Sequence, residues 1–211
     1  MSTLEQFEAL VLSQQPASQP WAPVTDYSFE ARKEAEGIHP QLIVDVLQPE
    51  SVLDVGCGPG HLMRLLSERG VPCSGLDVAL MTTSDERMDH WDVTMPHEAG
   101  ETWIPTRWVS DVVICREVLE HLTVKGIRRA VENLCLLSSR LVYLTTRFNP
   151  SPVSIWDVQT SDDLDPTHIS MLPQDLLRTL FVLEGFKRRA DLEARMDWKG
   201  YGRVLVYERA A

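Results

Sequence analysis

The sequence predicts an α/β domain in which a mostly parallel sheet is covered by helices on both faces. Short apolar runs typical of strands alternate with segments of helical periodicity through most of the chain. The clearest strand, residues 111–115, is almost entirely apolar, as expected for a strand buried on both faces. The 211 residues and their 44% apolar content suit one domain with one substantial core.

The predicted elements follow in chain order. Residues 1–28 show little hydrophobic periodicity and are predicted to form an N-terminal arm or partial lid, with the main domain over 29–211. Helices are predicted over 29–47, 61–69 and 118–137, and from Pro173 onward. Strands are predicted over 51–55, 72–78, 90–93, 111–115, 140–146, 186–192 and 203–208. The last two strands have no predicted helix between them, so we expect them to pair as an antiparallel edge.

Charge disfavours nucleic acid as a partner. The 31 acidic side chains outnumber the 20 basic ones, and the net charge of −11 would repel a polyphosphate backbone unless the basic residues cluster on one face. A small molecule is the expected partner instead. The sequence does not indicate an oligomeric state.

Cysteine usage and the N-terminus predict a cytoplasmic protein. The four cysteines form no C-x-x-C pair, and three lie in apolar runs, so we expect free buried thiols in a reducing compartment. No apolar run approaches the roughly 20 residues that span a bilayer. The first residues also lack the basic start and apolar stretch of a signal peptide.

A glycine-rich turn follows the first predicted strand, in the run DVGCGPG over residues 54–60. Such a turn lets the backbone approach a ligand closely and directs helix N–H groups toward it. Gly56, Gly58 and Gly60 are spaced two apart, and His61 stands where the dinucleotide pattern G-x-G-x-x-G needs its third glycine. A phosphate-binding P-loop is also excluded, because no Lys-Ser/Thr pair follows the glycines.

Two acids mark the ends of the next two predicted strands. Asp77 ends the second strand, where a carboxylate can accept from both hydroxyls of a ribose. Asp92 ends the predicted third strand, where it can accept from an adenine amine while the N–H of Val93 faces a ring nitrogen. The glycine turn and both acids occur in order at successive strand ends, which indicates a nucleoside-containing cofactor.

These features resemble the class I S-adenosylmethionine (SAM)-dependent methyltransferases. Residues 52–60 are similar to motif I, Asp77 to the ribose-binding acid and residues 92–94 to the adenine-side segment. Residues 111–122, which end in the run EVLEHL, resemble the fourth strand and its exit. The resemblance covers about residues 29–208 and implies a single Rossmann-like domain. Its doubly wound seven-stranded sheet would have the order 3-2-1-4-5-7-6 with the last strand antiparallel, and SAM would lie across the ends of strands 1, 2 and 4.

The resemblance also implies a set of cofactor-binding residues. Arg116 would line the methionine part of SAM through its backbone, and Tyr27 is included because an arm residue near this position often covers SAM in the family. The predicted SAM-binding residues are Tyr27, Asp54, Gly56, Cys57, Gly58, Gly60, Asp77, Val78, Asp92, Val93 and Arg116.

The acceptor chemistry depends on residues after the fourth strand and on a later histidine. Glu117, Glu120 and His121 are spaced i, i+3 and i+4, which places them on one face if a helix starts here. His168 follows in a loop. Three interpretations remain open: these side chains are structural, His121 or His168 is a general base, or Glu117, Glu120, His121 and His168 together bind one divalent metal.

Three functions correspond to these alternatives. The first is transfer of a methyl group from SAM to an oxygen, with nitrogen as second choice, of a small metabolite or glycan, with His121 or His168 as base and no metal. The second is a metal-dependent RNA 3′-terminal 2′-O-methyltransferase, whose two-Glu, two-His metal site the four residues resemble. The third is a non-catalytic SAM-binding regulatory partner. A loop over 147–167 is the expected substrate wall.

Overall fold

The computed structural model describes residues 37–78, 85–96, 106–148 and 167–210. Within these ranges seven strands form one sheet in the order β3-β2-β1-β4-β5-β7-β6, as predicted. The strands are β1 (Val52–Val55), β2 (Cys73–Asp77), β3 (Met88–His90), β4 (Ser110–Arg116), β5 (Ser138–Thr145), β6 (Phe186–Arg188) and β7 (Val204–Arg209).

The strand directions bring several chain segments to one edge of the sheet. Strands β1 to β5 run parallel, whereas β7 is antiparallel to both β5 and β6. The carboxyl ends of β1, β2, β4 and β5 therefore share an edge, which we call the carboxyl edge. In open parallel sheets, ligands bind outside this edge where the strand order reverses, which here is between β1 and β4.

Helices cover both faces of the sheet, as the apolar strands predict. The helices are α1 (His61–Ser67), α2 (Val124–Leu137), α3 (Gln174–Leu183) and α4 (Ala190–Met196), and helical residues 37–42 lead into a π-helical turn, Ile43–Leu47. Alternate β4 residues face opposite layers: Val113 packs in the core with α2 and α3, and Ile114 packs in the core with α1 and α4.

None of the helices in the described ranges is long and apolar enough to cross a membrane. The four cysteines are buried and unbridged, as predicted.

The helix predicted over 118–137 is divided in two. A 3-10 turn, Leu119–His121, comes first, and α2 begins only at Val124. The hydroxyl of Thr123 accepts from the N–H of Gly126 at 3.0 Å, which caps the new helix start. Glu120 and His121 thus belong to a separate turn, and the prediction that they share a helix face with Glu117 is wrong.

The prediction that no helix separates the last two strands is also wrong, although β6 and β7 do pair antiparallel. Strand β6 ends at Arg188, and α4 occupies much of the segment predicted as strand. Leu192 and Met196, one turn apart, are buried against the sheet, and Glu193 accepts from Arg188 at 2.8 Å. The four-residue spacing of these two apolar residues is a helical signal that the surrounding charges obscured.

Candidate functional site

The glycine turn connects β1 to α1 at the carboxyl edge. The N–H groups of Gly56 and Cys57 donate to the carbonyl of Leu76 at 2.8 and 3.2 Å, which joins the turn to the end of β2. Gly56 has a φ of 78° and a Cβ there would collide with Val118, so this glycine is required for packing. Gly58 differs: its φ is 52°, but no described atom outside its chain neighbours lies within 4 Å of an added Cβ. The turn therefore presents Gly58 to open space.

Asp77 lies at the end of β2, as predicted, and is connected to the glycine turn. Its Oδ2 accepts from the N–H of Gly58 at 2.8 Å, and the residue is only 8% exposed. The next residue, Val78, is exposed. The strand-end acid and the glycine turn thus form one structural unit, and a ribose contact by Asp77 stays a prediction.

Asp92 was predicted to end the third strand, but β3 stops two residues earlier, at His90. The reason is local, since Oδ1 of Asp92 accepts from both the N–H and the hydroxyl of Thr94 at 2.8 Å and closes a turn. Val93 is buried, and its carbonyl accepts from Asn133 of α2 at 2.6 Å. Because Oδ1 is used within the turn, an adenine contact would fall on Oδ2.

A buried acid lies beneath the turn, within β1. Asp54 is 4% exposed, and burial raises its pKa to about 6. The charge of Arg116, at the end of β4, opposes this rise in pKa, and the charge of Asp77 adds to it. Residues from β1, β2 and β4 therefore interact electrostatically at the carboxyl edge.

The exit of β4 carries two acids in very different surroundings. Glu117 is exposed and has a φ of 51°, a left-handed conformation that is uncommon for a residue other than glycine. Glu120 is fully buried; its carboxyl accepts from the hydroxyl of Thr146 at 2.8 Å and from the N–H of Arg147 at 3.3 Å. Burial and the nearby charge of Glu117 raise the pKa of Glu120 well above the usual carboxyl range. We therefore treat Glu120 as a neutral carboxyl at pH 7.

The two predicted catalytic histidines lie together. The ring centroids of His121 and His168 are 4.9 Å apart, and His168 is buried. Nδ1 of His121 is 3.2 Å from the carbonyl oxygen of Thr167 and 2.9 Å from its hydroxyl. A hydrogen on Nδ1 satisfies both contacts, since the carbonyl oxygen only accepts and the hydroxyl can accept, and in that tautomer Nε2 has the lone pair.

Sequence comparison agrees with this architecture. A family model described as a methyltransferase domain matches residues 28–190, which is more than half of the chain. The chain belongs to this methyltransferase family. Its sheet order is also the one expected of the class I SAM-dependent members.

Curated relatives match this methyltransferase at low sequence identity. A ubiquinone biosynthesis O-methyltransferase from Stutzerimonas stutzeri is 29% identical over 114 residues, which cover 49% of this chain and 47% of the relative. The chain spans about half the length of this curated relative, and less of some others.

Solved structures show the same fold over most of the chain. DesVI of Streptomyces venezuelae superposes with a TM-score of 0.60 at 16% identity, over 87% of this chain and 95% of DesVI. Magnesium protoporphyrin IX methyltransferase (ChlM) of Synechocystis PCC 6803 with bound SAM gives a TM-score of 0.54 at 18% identity, over 85% of this chain and 80% of that chain.

The geometry gives no support to a four-residue metal site in this methyltransferase. Among the described residues, no group of three or more His, Cys, Asp or Glu side chains is arranged to hold a metal ion. The Glu120 carboxyl already accepts two hydrogen bonds, and His121 uses Nδ1 toward Thr167. The proposed ligands Glu117, Glu120, His121 and His168 thus do not converge as a ligand set.

Some predicted residues lie outside the described ranges, and some residues of the site were not predicted. Tyr27 and most of the loop over 147–167 fall outside the described residues, so their contacts stay predictions. Thr146 and Thr167 were not predicted. The sequence does indicate that Thr146 follows β5 and that Thr167 precedes His168. It does not indicate their hydrogen-bond partners, Glu120 and His121, because these contacts depend on how the chain turns after β4.

Proposed function

We propose that this methyltransferase transfers the methyl group of SAM to an oxygen of a small molecule, such as a metabolite or glycan, with nitrogen as the second choice. The observation that carries the proposal is the meeting of two features at the carboxyl edge. One is the open glycine turn joined to Asp77, and the other is the His121–His168 pair after β4. The glycine turn with Asp77 is suited to binding the methyl donor, and the histidine pair is suited to accepting a proton from the methyl acceptor.

Two properties of the predicted donor residues support SAM as the ligand. Gly58 faces open space, so the ligand can approach the backbone closely, and Asp77 is anchored beside it. Asp54 and Asp77 supply negative charge at the edge where a sulfonium cation would bind. Asp92, Val93 and Val78 would line the adenine side, and Gly56, Cys57, Gly60 and Arg116 would complete the site.

The acceptor side needs a base if the acceptor is a hydroxyl. The acceptor oxygen would bond to the methyl carbon, the carbon–sulfur bond would break with its electron pair remaining on sulfur, and the hydroxyl proton would pass to Nε2 of His121. Glu120 is not suited to this role, since it is buried and its two oxygens already accept hydrogen bonds from Thr146 and Arg147. The methyl group comes from SAM, and the chain's part is to orient, exclude water and accept the proton.

The test combines binding with turnover. Calorimetry with SAM and with its demethylated product, S-adenosylhomocysteine (SAH), measures donor binding. Mass spectrometry after incubation with SAM and a panel of phenols, sugars and amines then detects methylated product. Binding with O-methylation of a panel member supports the proposal, and no binding of SAM or SAH would overturn it. Binding without any turnover would instead favour the non-catalytic regulatory partner.

The affinity for SAM should depend on pH through Asp54. Its pKa of about 6 in the unliganded protein means that the carboxyl is neutral below pH 6 and charged above it. A sulfonium cation favours the charged form, so SAM affinity should rise with pH up to about 7 and fall below pH 6. The fall should approach about tenfold per pH unit. SAH has no sulfonium charge, so its affinity should change much less over the same range.

Calorimetry at pH 5, 6 and 7 checks this expectation. Asp54→Asn should flatten the SAM profile until it resembles that of SAH, and thermal melts without ligand establish that the variant folds. Parallel profiles for SAM and SAH in the wild type would show that Asp54 does not sense the sulfonium charge.

A further inference from the structure

We infer that Glu120 is a positioning residue that holds His121 and His168 at the acceptor side of the site. The inference rests on the proposed function, because it assigns to Glu120 the geometry on which proton transfer depends. Glu120 would not itself touch the substrate. Its contacts in the protein, described next, carry the inference.

The side chain of Glu120 binds the exit of β5. Oε2 accepts from the hydroxyl of Thr146 at 2.8 Å, and Oε1 accepts from the N–H of Arg147 at 3.3 Å. The exit of β4 is joined to β5 in a second way, because the N–H of Glu117 donates to the carbonyl of Thr145 at 2.8 Å. The turn that carries His121 is therefore fixed to the carboxyl edge of the sheet.

The main chain of Glu120 binds a third segment, the one that follows His168. Its carbonyl accepts from the N–H groups of Ile169 at 2.9 Å and Ser170 at 3.1 Å. Glu120 immediately precedes His121, and Ile169 immediately follows His168. These two hydrogen bonds thus set the distance between the segments whose rings lie 4.9 Å apart.

The neutral carboxyl has a specific hydrogen-bonding pattern that an apolar side chain lacks. Its oxygens accept from the hydroxyl of Thr146 and the N–H of Arg147, and its side-chain hydrogen bond with Glu117, which helps to raise the pKa of Glu120, needs a proton between the two carboxyl groups. A glutamine keeps the interactions with Thr146 and Glu117, since its oxygen accepts and its amide nitrogen donates, and it loses only the longer hydrogen bond from the N–H of Arg147. A methionine fills the space but removes all of these interactions. The two substitutions therefore separate packing from positioning.

The experiment compares Glu120→Gln with Glu120→Met, and Thr146→Val removes the partner hydroxyl while leaving Glu120 in place. Catechol, or whichever panel phenol the wild type methylates, serves as the acceptor for kcat and KM. SAH calorimetry reports the donor site. Nitrogen-15 NMR of labelled histidines reports which ring nitrogen of His121 is protonated, a property that a packing role alone would not change.

Glu120→Gln should retain kcat within about threefold and keep the wild-type histidine spectrum. Glu120→Met should lower kcat by about tenfold or more and shift the His121 signals while the Kd for SAH stays the same. Thr146→Val should produce a smaller change of the same kind, and it also tests the inference if Glu120→Met fails to fold. Wild-type kcat and an unchanged histidine spectrum in the folded variants would overturn the inference.

The two proposals fail in different ways. If the wild type binds SAH but methylates no acceptor, the proposed function fails, and the histidine spectra still test the positioning role of Glu120. If the wild type is active and Glu120→Met loses SAH affinity and kcat in equal proportion, the effect of Glu120 is on the donor site and the positioning inference is wrong.

Discussion

Replacing Gly58 with arginine is expected to abolish SAM and SAH binding while leaving the protein folded. Beyond its chain neighbours, no described atom lies within 4 Å of a Cβ at this position, so within the described ranges the first atom of the new side chain is accommodated without a clash. It would instead occupy the open space at the carboxyl edge where the donor is proposed to bind. We expect affinity for both ligands to fall by about a hundredfold or more.

Gly70→Arg is the matched control. Gly70 has a φ of 79° and, like Gly58, has no described neighbour within 4 Å of an added Cβ. It lies at the other end of α1, where its N–H donates to the carbonyl of Ser67 at 2.9 Å. Both substitutions should cost roughly 1–2 kcal/mol in left-handed backbone strain. Calorimetry should show lost binding only for Gly58→Arg, at similar melting temperatures. Equal SAH affinity in both variants would place the donor elsewhere.

The geometry of the glycine turn and Asp77 could be predicted from sequence because these residues are encoded locally. The turn from Gly56 to Gly60 lies in one short segment, and Asp77 follows directly from the position of the second strand. The parallel register of β1 with β2 then brings Asp77 to Gly58 without further information. A local motif and a regular sheet were sufficient, and the predicted strand order is confirmed.

The errors occurred where local hydrogen bonds end an element early. Asp92 closes a turn onto Thr94, and this turn separates it from the strand that ends at His90. Thr123 caps α2 and divides a continuous apolar periodicity into a 3-10 turn and a helix. Hydrophobic periodicity alone does not distinguish these interruptions from a continuous element.

The acceptor side depends on contacts between residues far apart in the chain. Glu120 reaches Thr146 and the segment after His168, and His121 reaches Thr167 across 46 positions. The spacing of Glu117, Glu120 and His121 suggested one helix face, but the left-handed Glu117 and the short turn after it give a different path. The histidines were predicted as candidates, whereas the role of Glu120 emerged only from its three-dimensional contacts.

His121→Ala is expected to lower kcat by about 10²–10⁴-fold for a hydroxyl acceptor, the usual contribution of a general base. SAH affinity should be unchanged, because His121 is not among the predicted donor residues, which within the described ranges lie on β1, on β2, in the segments after β1, β2 and β3 and, for Arg116, at the end of β4. His121 is favoured over His168 because the Thr167 carbonyl lies where it accepts a hydrogen from Nδ1, and the tautomer with that hydrogen has its lone pair on Nε2. Single-turnover kinetics with saturating SAM separate the chemical step from product release.

His168→Phe is the companion variant. A phenyl ring keeps the ring contact with His121 and removes both nitrogens, so kcat should fall by less than about tenfold if His168 serves to position its neighbour. Should His168→Phe show the loss of about 10²–10⁴-fold in kcat expected for His121→Ala, while His121→Ala retains most of its activity, the two histidines would have exchanged roles. An acceptor amine that is already deprotonated needs no base, so its methylation should be much less sensitive to His121→Ala than methylation of a hydroxyl. That difference in sensitivity distinguishes a proton-accepting histidine from one that only shapes the pocket.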